Sequence, residues 1–261
     1  MRRRGSSSCS SLSSGARRTR QRSPGAVVCR RCCSPEDTVK AGNCSYGRPE
    51  DLPETIPVFP LPGALLLPRA EMPLNIFEPR YVAMIDAALA GDRIVGMIQP
   101  DENKAPCASG PGLCQVGCAG RVTAFSETGD GRYLVTLSGI SRFVVVEERI
   151  VATGYRQCRI SAASFADDFL ARSDDEAVDR AAVLRSFRDY LEAHNLEADW
   201  DSVGRATNET LINALAMMAP FGTAEKQALL EAPDLKARAE TLVALTEVAL
   251  ANESGAGRSL Q

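Results

Sequence analysis

Histidine, lysine and tryptophan are scarce in this chain of 261 residues, which has one histidine (His194), one tryptophan (Trp200) and four lysines (Lys40, Lys104, Lys226 and Lys236). A single histidine excludes the two-histidine zinc hydrolase motifs and leaves one candidate base for a Ser-His-Asp arrangement. His194 falls on an apolar helical face, so a satisfied structural histidine is the favoured reading. No lysine follows a glycine. The phosphate-cradling loop ending in Gly-Lys-Ser/Thr is therefore missing, as are the Rossmann glycine fingerprint and the Gly-x-Ser-x-Gly nucleophile elbow. Long apolar runs are missing too. Leu211 to Phe221 is short and interrupted by Asn213, well under the ~18 residues of a membrane helix, and the N-terminus lacks the apolar core of a secretory signal.

The nine cysteines are odd in number and scattered, which forms no disulfide framework and points to a reducing compartment. Cys29, Cys32, Cys33 and Cys44 make part of a zinc-ligand pattern, but no second Cys-x2-Cys pair completes it, and incidental tail cysteines are favoured. Cys114 and Cys118 share a strand face with Val116 and read as small buried hydrophobes. A three-cysteine site with Cys107 is weaker. Lys226 and Lys236 are the lysines open to a serine-lysine hydrolase, yet their acidic and apolar neighbours favour solvated charge.

The net charge of −3 conceals a division. Residues 1–50 hold eleven Lys/Arg against three Asp/Glu, and residues 51–261 hold nineteen against thirty. An acidic body repels phosphate backbones and argues against nucleic acid as the main partner. Ser-rich and Arg-rich runs fill the start, and no acidic residue precedes Glu36. Such a segment cannot bury a core, so residues 1–51 are expected to be a disordered basic tail. Its composition equally fits a transit peptide, which would place the protein in an organelle rather than the cytoplasm, or a start assigned too far upstream.

From Thr55 the pattern becomes short apolar runs punctuated by Pro and Gly, which predict strands over 56–59, 74–77, 94–98, 116–125, 133–137, 143–146 and 155–160. The turn Thr128-Gly-Asp-Gly131 signals a hairpin. Pro79 suits a first helical position, and Gly91 would close that helix. After Ser164 the period turns helical: Ser173-Asp-Asp-Glu176 is a capping box, and helices are predicted over 208–219, 224–231 and 235–250, the last with Leu235, Ala239, Leu242 and Thr246 on one stripe. The fold class is α+β, with a β-rich module over 52–164, a helical bundle over 165–252 and a tail over 253–261.

Ile56-Pro-Val-Phe-Pro-Leu-Pro-Gly63, Leu67-Pro68 and Pro73-Leu-Asn-Ile-Phe-Glu-Pro-Arg-Tyr81 resemble the opening signature of the Lon protease N-terminal domain. So do Val116-Gly-Cys-Ala-Gly-Arg-Val122 and Gly131 through Phe143, and Glu225 to Ala232 is similar to the segment before that family's last helix. The resemblance implies a PUA-like curled sheet or pseudo-barrel followed by helices, a role in recognising protein substrates, no cofactor or metal, and no catalysis in the absence of the ATPase and protease domains. Protein clients and a separate ATP-dependent protease are the implied partners. Pro60, Gly63, Glu78, Arg80, Tyr81, Gly117, Gly139 and Arg142 are expected to be structural, with Glu78 pairing to Arg80 or Arg142 to hold the first helix on the sheet. Leu65, Leu66, Leu67 and Met72 are the candidate client-binding side chains if exposed, with a place in the core as the stronger alternative. An RNA-binding protein built on the PUA-like sheet, and a small hydrolase with an unrecognised site, are the rival functions.

Overall fold

Alternating burial along Thr55–Pro60 and Arg156–Ser161 is the signature of strands with one face on a core. The computed structural model describes residues 38–106, 110–150, 154–170, 178–194 and 196–258. Its strands are β1 (Val39–Ala41), β2 (Cys44–Tyr46), β3 (Thr55–Pro60), β4 (Glu71–Ile76), β5 (Ile94–Pro100), β6 (Leu113–Glu127), β7 (Tyr133–Ile150) and β8 (Arg156–Ser161). The larger sheet runs β4-β7-β6-β5-β3-β8, and a further β7–β8 pairing closes five of these strands into a barrel. β4 stays outside the closure as an edge strand on β7. β3 and β5 pair in parallel, because the chain crosses between them through β4 and helix α1 (Pro79–Ala90).

β7 was expected as two strands broken near Gly139, but it is one strand of 18 residues. Register shifts at Ala119/Gly120 and Val145/Glu147 bend the ribbon so that β7 can serve β4, β6 and β8 in turn. Gly139 has a different purpose: a Cβ there would lie 2.0 Å from the Leu67 carbonyl oxygen. Gly117 likewise admits the Phe143 ring, which a Cβ would meet at 2.5 Å. Phe143, Ile56, Val58, Ile94, Ile98 and Ile140 fill the barrel interior.

The expected tail boundary at residue 51 is corrected by the β1–β2 hairpin. Val39, Ala41 and Tyr46 are buried in the barrel core, and the Tyr46 hydroxyl accepts from Arg121 Nη1 at 3.2 Å. Averaging composition over a long Arg/Ser-rich stretch hid this short alternation. The expectation for residues 1–37 and the capping box at Ser173 to Glu176 lie outside the described residues.

The helical half contains α2 (Arg180–Ala193), α3 (Trp200–Arg205), α4 (Asn208–Met218), α5 (Thr223–Glu231) and α6 (Leu235–Arg258). Asp179, Asp199 and Thr207 cap α2, α3 and α4 by accepting from free backbone N–H groups. α3 was not expected, since six residues are too few to show a period. α6 runs past the expected end near residue 250, as extending a helix is far easier than starting one. Its predicted stripe Leu235, Ala239, Leu242 and Thr246 is buried.

Candidate functional site

Leu65, Leu66 and Leu67 are 2%, 1% and 0% exposed and Met72 is 8% exposed, so none of them offers a client-binding surface. The loop that carries the three leucines is a wedge between barrel and bundle, and Met72 follows it in β4. Its leucines share one core with Leu211, Ile212, Leu215, Leu229 and Leu230 of the helices. Burying three leucines and a methionine is worth several kcal/mol at ~1.5–3 kcal/mol each, and the helical half provides the opposing face. The sequence could not show this, because the partners lie some 140 residues downstream.

Polar side chains hold the same junction. Asn213 Nδ2 donates to the Pro68 carbonyl at 3.1 Å, and Arg238 donates to Asn213 Oδ1 at 3.2 Å and to the Leu229 carbonyl at 3.1 Å. Arg69, at φ 62°, bonds Glu209 and the Asp168 carbonyl at 3.1 Å each and also donates to the Leu170 carbonyl. Arg142 reaches the carboxylate of the same Asp168 through Nε at 2.9 Å and Nη2 at 2.8 Å. Its remaining donors meet the carbonyls of Leu230, Ala232 and Pro233, and its guanidinium lies 4.5 Å over the Phe165 ring. Both members are buried. Arg142 therefore clamps the 3-10 turn Ala163–Phe169 and the α5–α6 link to β7.

The expected Glu78 partnership is with Arg80, at 2.8 Å on an exposed surface. It does not hold α1 to the sheet. Tyr81 does, buried with its ring 4.2 Å from that of Phe59. Gly63, at φ 72°, donates its N–H to Gln99 Oε1 at 3.0 Å, and Gln99 Nε2 donates to the Ala64 carbonyl at 2.8 Å. Pro60 ends β3 opposite Ile98.

An exposed apolar surface appears elsewhere, at the outer end of the sheet. Phe77 is 62%, Leu134 49% and Phe125 39% exposed. Pro73, Leu74, Phe125 and Leu134 line a shallow depression of about 420 Å3 that contains no charged residue. Phe125 is stacked edge-on against Tyr133 at 4.8 Å, and Tyr133 is tied to α1 through its hydroxyl, 3.0 Å from Asp86 Oδ1. Ile76, the residue before Phe77, pairs with Tyr133. Among the described residues β4 has β7 on one side only, so part of its main chain is available at this patch. The segment Leu74 to Phe77 carried the sequence signal of a strand, but which of its side chains face outward depends on the sheet order.

With this geometry in view, comparison with known proteins is decisive: the ATP-dependent protease La (LON) substrate-binding domain family matches residues 55–247. The chain belongs to that family. Lon protease of Desulfosudis oleivorans is 32% identical over 97 residues, covering 37% of this chain and 12% of that protein. Lon protease of Syntrophus aciditrophicus is 27% identical over 221 residues, 78% of this chain and 26% of its own length. The chain thus spans about a quarter or less of these curated relatives. The solved N-terminal domain of Mycobacterium avium complex Lon protease superimposes with a TM-score of 0.51 at 19% identity, over 74% of this chain and 98% of that one, which establishes a shared fold.

The residues weighed for chemistry occupy other roles within this Lon-type domain. Lys226 is not solvated but buried, and its ammonium caps the end of α4 by donating to the carbonyls of Ala216 at 2.8 Å and Met217 at 2.7 Å. Burial pushes its pKa down to about 8. Lys236 is exposed beside Glu240. His194 follows α2 as its C-cap, with its ring 4.2 Å from that of Tyr190. Burial pushes the Cys158 thiol up to about 12 and raises that of Cys118 further, the behaviour of inert core cysteines. Among the described residues no group of three or more His, Cys, Asp or Glu is placed to hold a metal ion; Cys29, Cys32, Cys33 and Cys107 lie outside them.

Proposed function

We propose that this Lon-type domain captures unfolded or partly unfolded protein segments without chemistry of its own, acting as an adaptor or holdase that presents clients to a separate ATP-dependent protease. The observation that carries this reading is the uncharged depression lined by Pro73, Leu74, Phe125 and Leu134 beside the edge strand β4. An extended client segment can add its main chain to the free edge of β4 while its apolar side chains cover the aromatic rings. Pro73 sits on that edge and limits it to short pairings, which suits transient binding and protects against self-association. The membership of a substrate-binding domain family supports the same class of partner. The RNA-binding alternative draws no support from a depression free of Lys and Arg.

The test uses the full chain. Binding to a reduced, unfolded client is measured by fluorescence anisotropy, together with suppression of that client's aggregation on heating. The double variant Phe125→Ser, Leu134→Ser should bind at least tenfold more weakly and lose the protection, with its circular dichroism unchanged. Equal binding by this variant, or no binding by the parent, overturns the reading. Degradation of the client by an ATP-dependent protease of the same cell should accelerate when the full chain is added, and co-localisation in the cytoplasm would accompany it.

A further inference from the structure

The phase of the hydrogen bonds along β4 decides which of its main-chain groups a client can reach. β4 pairs with β7 antiparallel and without a register shift, from Glu71 opposite Ser138 to Ile76 opposite Tyr133. One step beyond, the Gly139 N–H donates to the Ala70 carbonyl at 2.8 Å. In an antiparallel pair every second residue exchanges its bonds with the partner strand, and the residues between turn theirs away. With Ala70 in the bonded set, Met72, Leu74 and Ile76 spend their N–H and C=O groups on β7. Glu71, Pro73 and Asn75 direct theirs to the open edge. All three are exposed, and among the described residues no turn or loop backbone group bonds to theirs. Pro73 agrees with this phase, because a strand accepts proline where the missing N–H faces away from the ladder.

The edge therefore offers three carbonyls, at Glu71, Pro73 and Asn75, but only two N–H donors, at Glu71 and Asn75. Opposed residues in a pair point to the same face, so Asn75 shares its face with Leu134 and Pro73 shares its face with Thr136. These four residues line the uncharged depression. Main-chain partners and an apolar floor thus lie side by side.

We infer that this edge takes its client as a five-residue antiparallel strand with a gap at Pro73. The first, third and fifth client residues donate their N–H groups to the carbonyls of Asn75, Pro73 and Glu71. The first and fifth also accept from the Asn75 and Glu71 N–H groups, whereas the third client carbonyl meets no donor and stays in water. The same three residues place their side chains on the face of Leu134 and Thr136, which selects apolar ones. The N–H groups of the second and fourth residues turn away, so proline is tolerated there and excluded from the other three positions. The ligand class is an extended segment with apolar, N–H-bearing residues at alternate positions. This inference rests on the client-capture reading and adds direction, register and Pro73 as the residue that sets specificity.

The probe is fluorescein-labelled Gly-Val-Thr-Leu-Thr-Val-Gly, titrated with the full chain and followed by anisotropy. One N-methylated form carries its methyl groups on the two valines and the leucine, the other on the two threonines. The threonine-methylated peptide should bind within about threefold of the unmodified one. The other should bind at least about tenfold more weakly, since three N–H donors are lost at roughly fivefold or less each. Pro73→Ala supplies the missing donor and should tighten the unmodified peptide about fivefold. An ester in place of the amide after leucine weakens the third carbonyl as an acceptor; it should leave binding to the parent within about twofold and cancel most of the gain in Pro73→Ala. Circular dichroism and sedimentation of Pro73→Ala should match the parent. Equal binding of the two methylated peptides, loss confined to the threonine-methylated one (a parallel strand), or unchanged affinity in a folded Pro73→Ala would overturn the inference and leave client capture standing. An unmodified peptide that fails to bind while an unfolded client binds would do the same. If neither binds, client capture falls with it.

Discussion

Replacing Arg142 with methionine leaves the Asp168 carboxylate fully buried without its cation and strips three carbonyls of their donor. Removing one member of such a pair costs ~3–5 kcal/mol, and urea denaturation of Arg142→Met should show a loss of that size. Arg142→Lys should recover only part of it, since a single ammonium cannot make the two-pronged contact with Asp168 or stack on Phe165. Titration gives a second residue-scale prediction. In the unfolded chain the Cys158 thiol ionises near 9, whereas folded it keeps its proton to about 12. Its contribution is therefore complete below pH 9 and falls above it, by ~1.4 kcal/mol per pH unit for each such thiol; Cys118 acts in the same direction. Lys226 acts oppositely: folded it loses its proton near 8 and unfolded near 10.5, so its cost is complete below pH 8 and is relieved between those values. Denaturation followed from pH 7 to 11 should show stability declining above pH 9, a decline that Cys158→Ala flattens and Lys226→Met steepens.

The β1–β2 hairpin tests how much of the fold begins before Leu52. Val39, Ala41 and Tyr46 are inserted in the barrel core, and removing the chain through Tyr46 uncovers that core. Deletion of residues 2–46 should lower stability by ~2–5 kcal/mol, the cost of losing buried apolar side chains, and should bring the melting temperature down by several degrees or more. A deletion that melts with the parent would show the hairpin to be dispensable. The same burial bears on processing: intact mass of the natively produced protein should show an N-terminus ahead of Val39, because cleavage near Leu52 would remove a strand pair that the barrel holds. The helices were more readable than this hairpin. α4 and α5 stood where their periodicity placed them and α6 began there, since a helix is set by local spacing, while a three-residue strand is only stable through what it is packed against.

For the molecule as a whole, client capture and polyanion binding differ in their response to salt. A patch without charged residues gives contacts that screening leaves intact, so affinity for an unfolded client should change less than twofold between 0.05 and 0.5 M NaCl. Binding that collapses over this range, as counterion release predicts for phosphate contacts, would point to the Arg-rich start of the chain instead.

The order of most strand and helix segments from Ile56 onward and the Lon-type motifs from Ile56 to Ala232 were legible from the residues alone, because period and turn chemistry are local properties. The roles of individual motif residues were only partly so. Arg142 and Gly139 were expected to be structural, but Asp168 and the Leu67 carbonyl as the groups they serve are brought to them only by tertiary contact. The leucines at 65–67 show the limit most plainly. An apolar run beside prolines is equally suited to a surface that grips clients and to a wedge that joins two halves, and burial against α4 and α5 decides for the wedge. Phe77, Phe125 and Leu134 had no sequence mark to set them apart from core residues; strand register and sheet order decide that they are left in water.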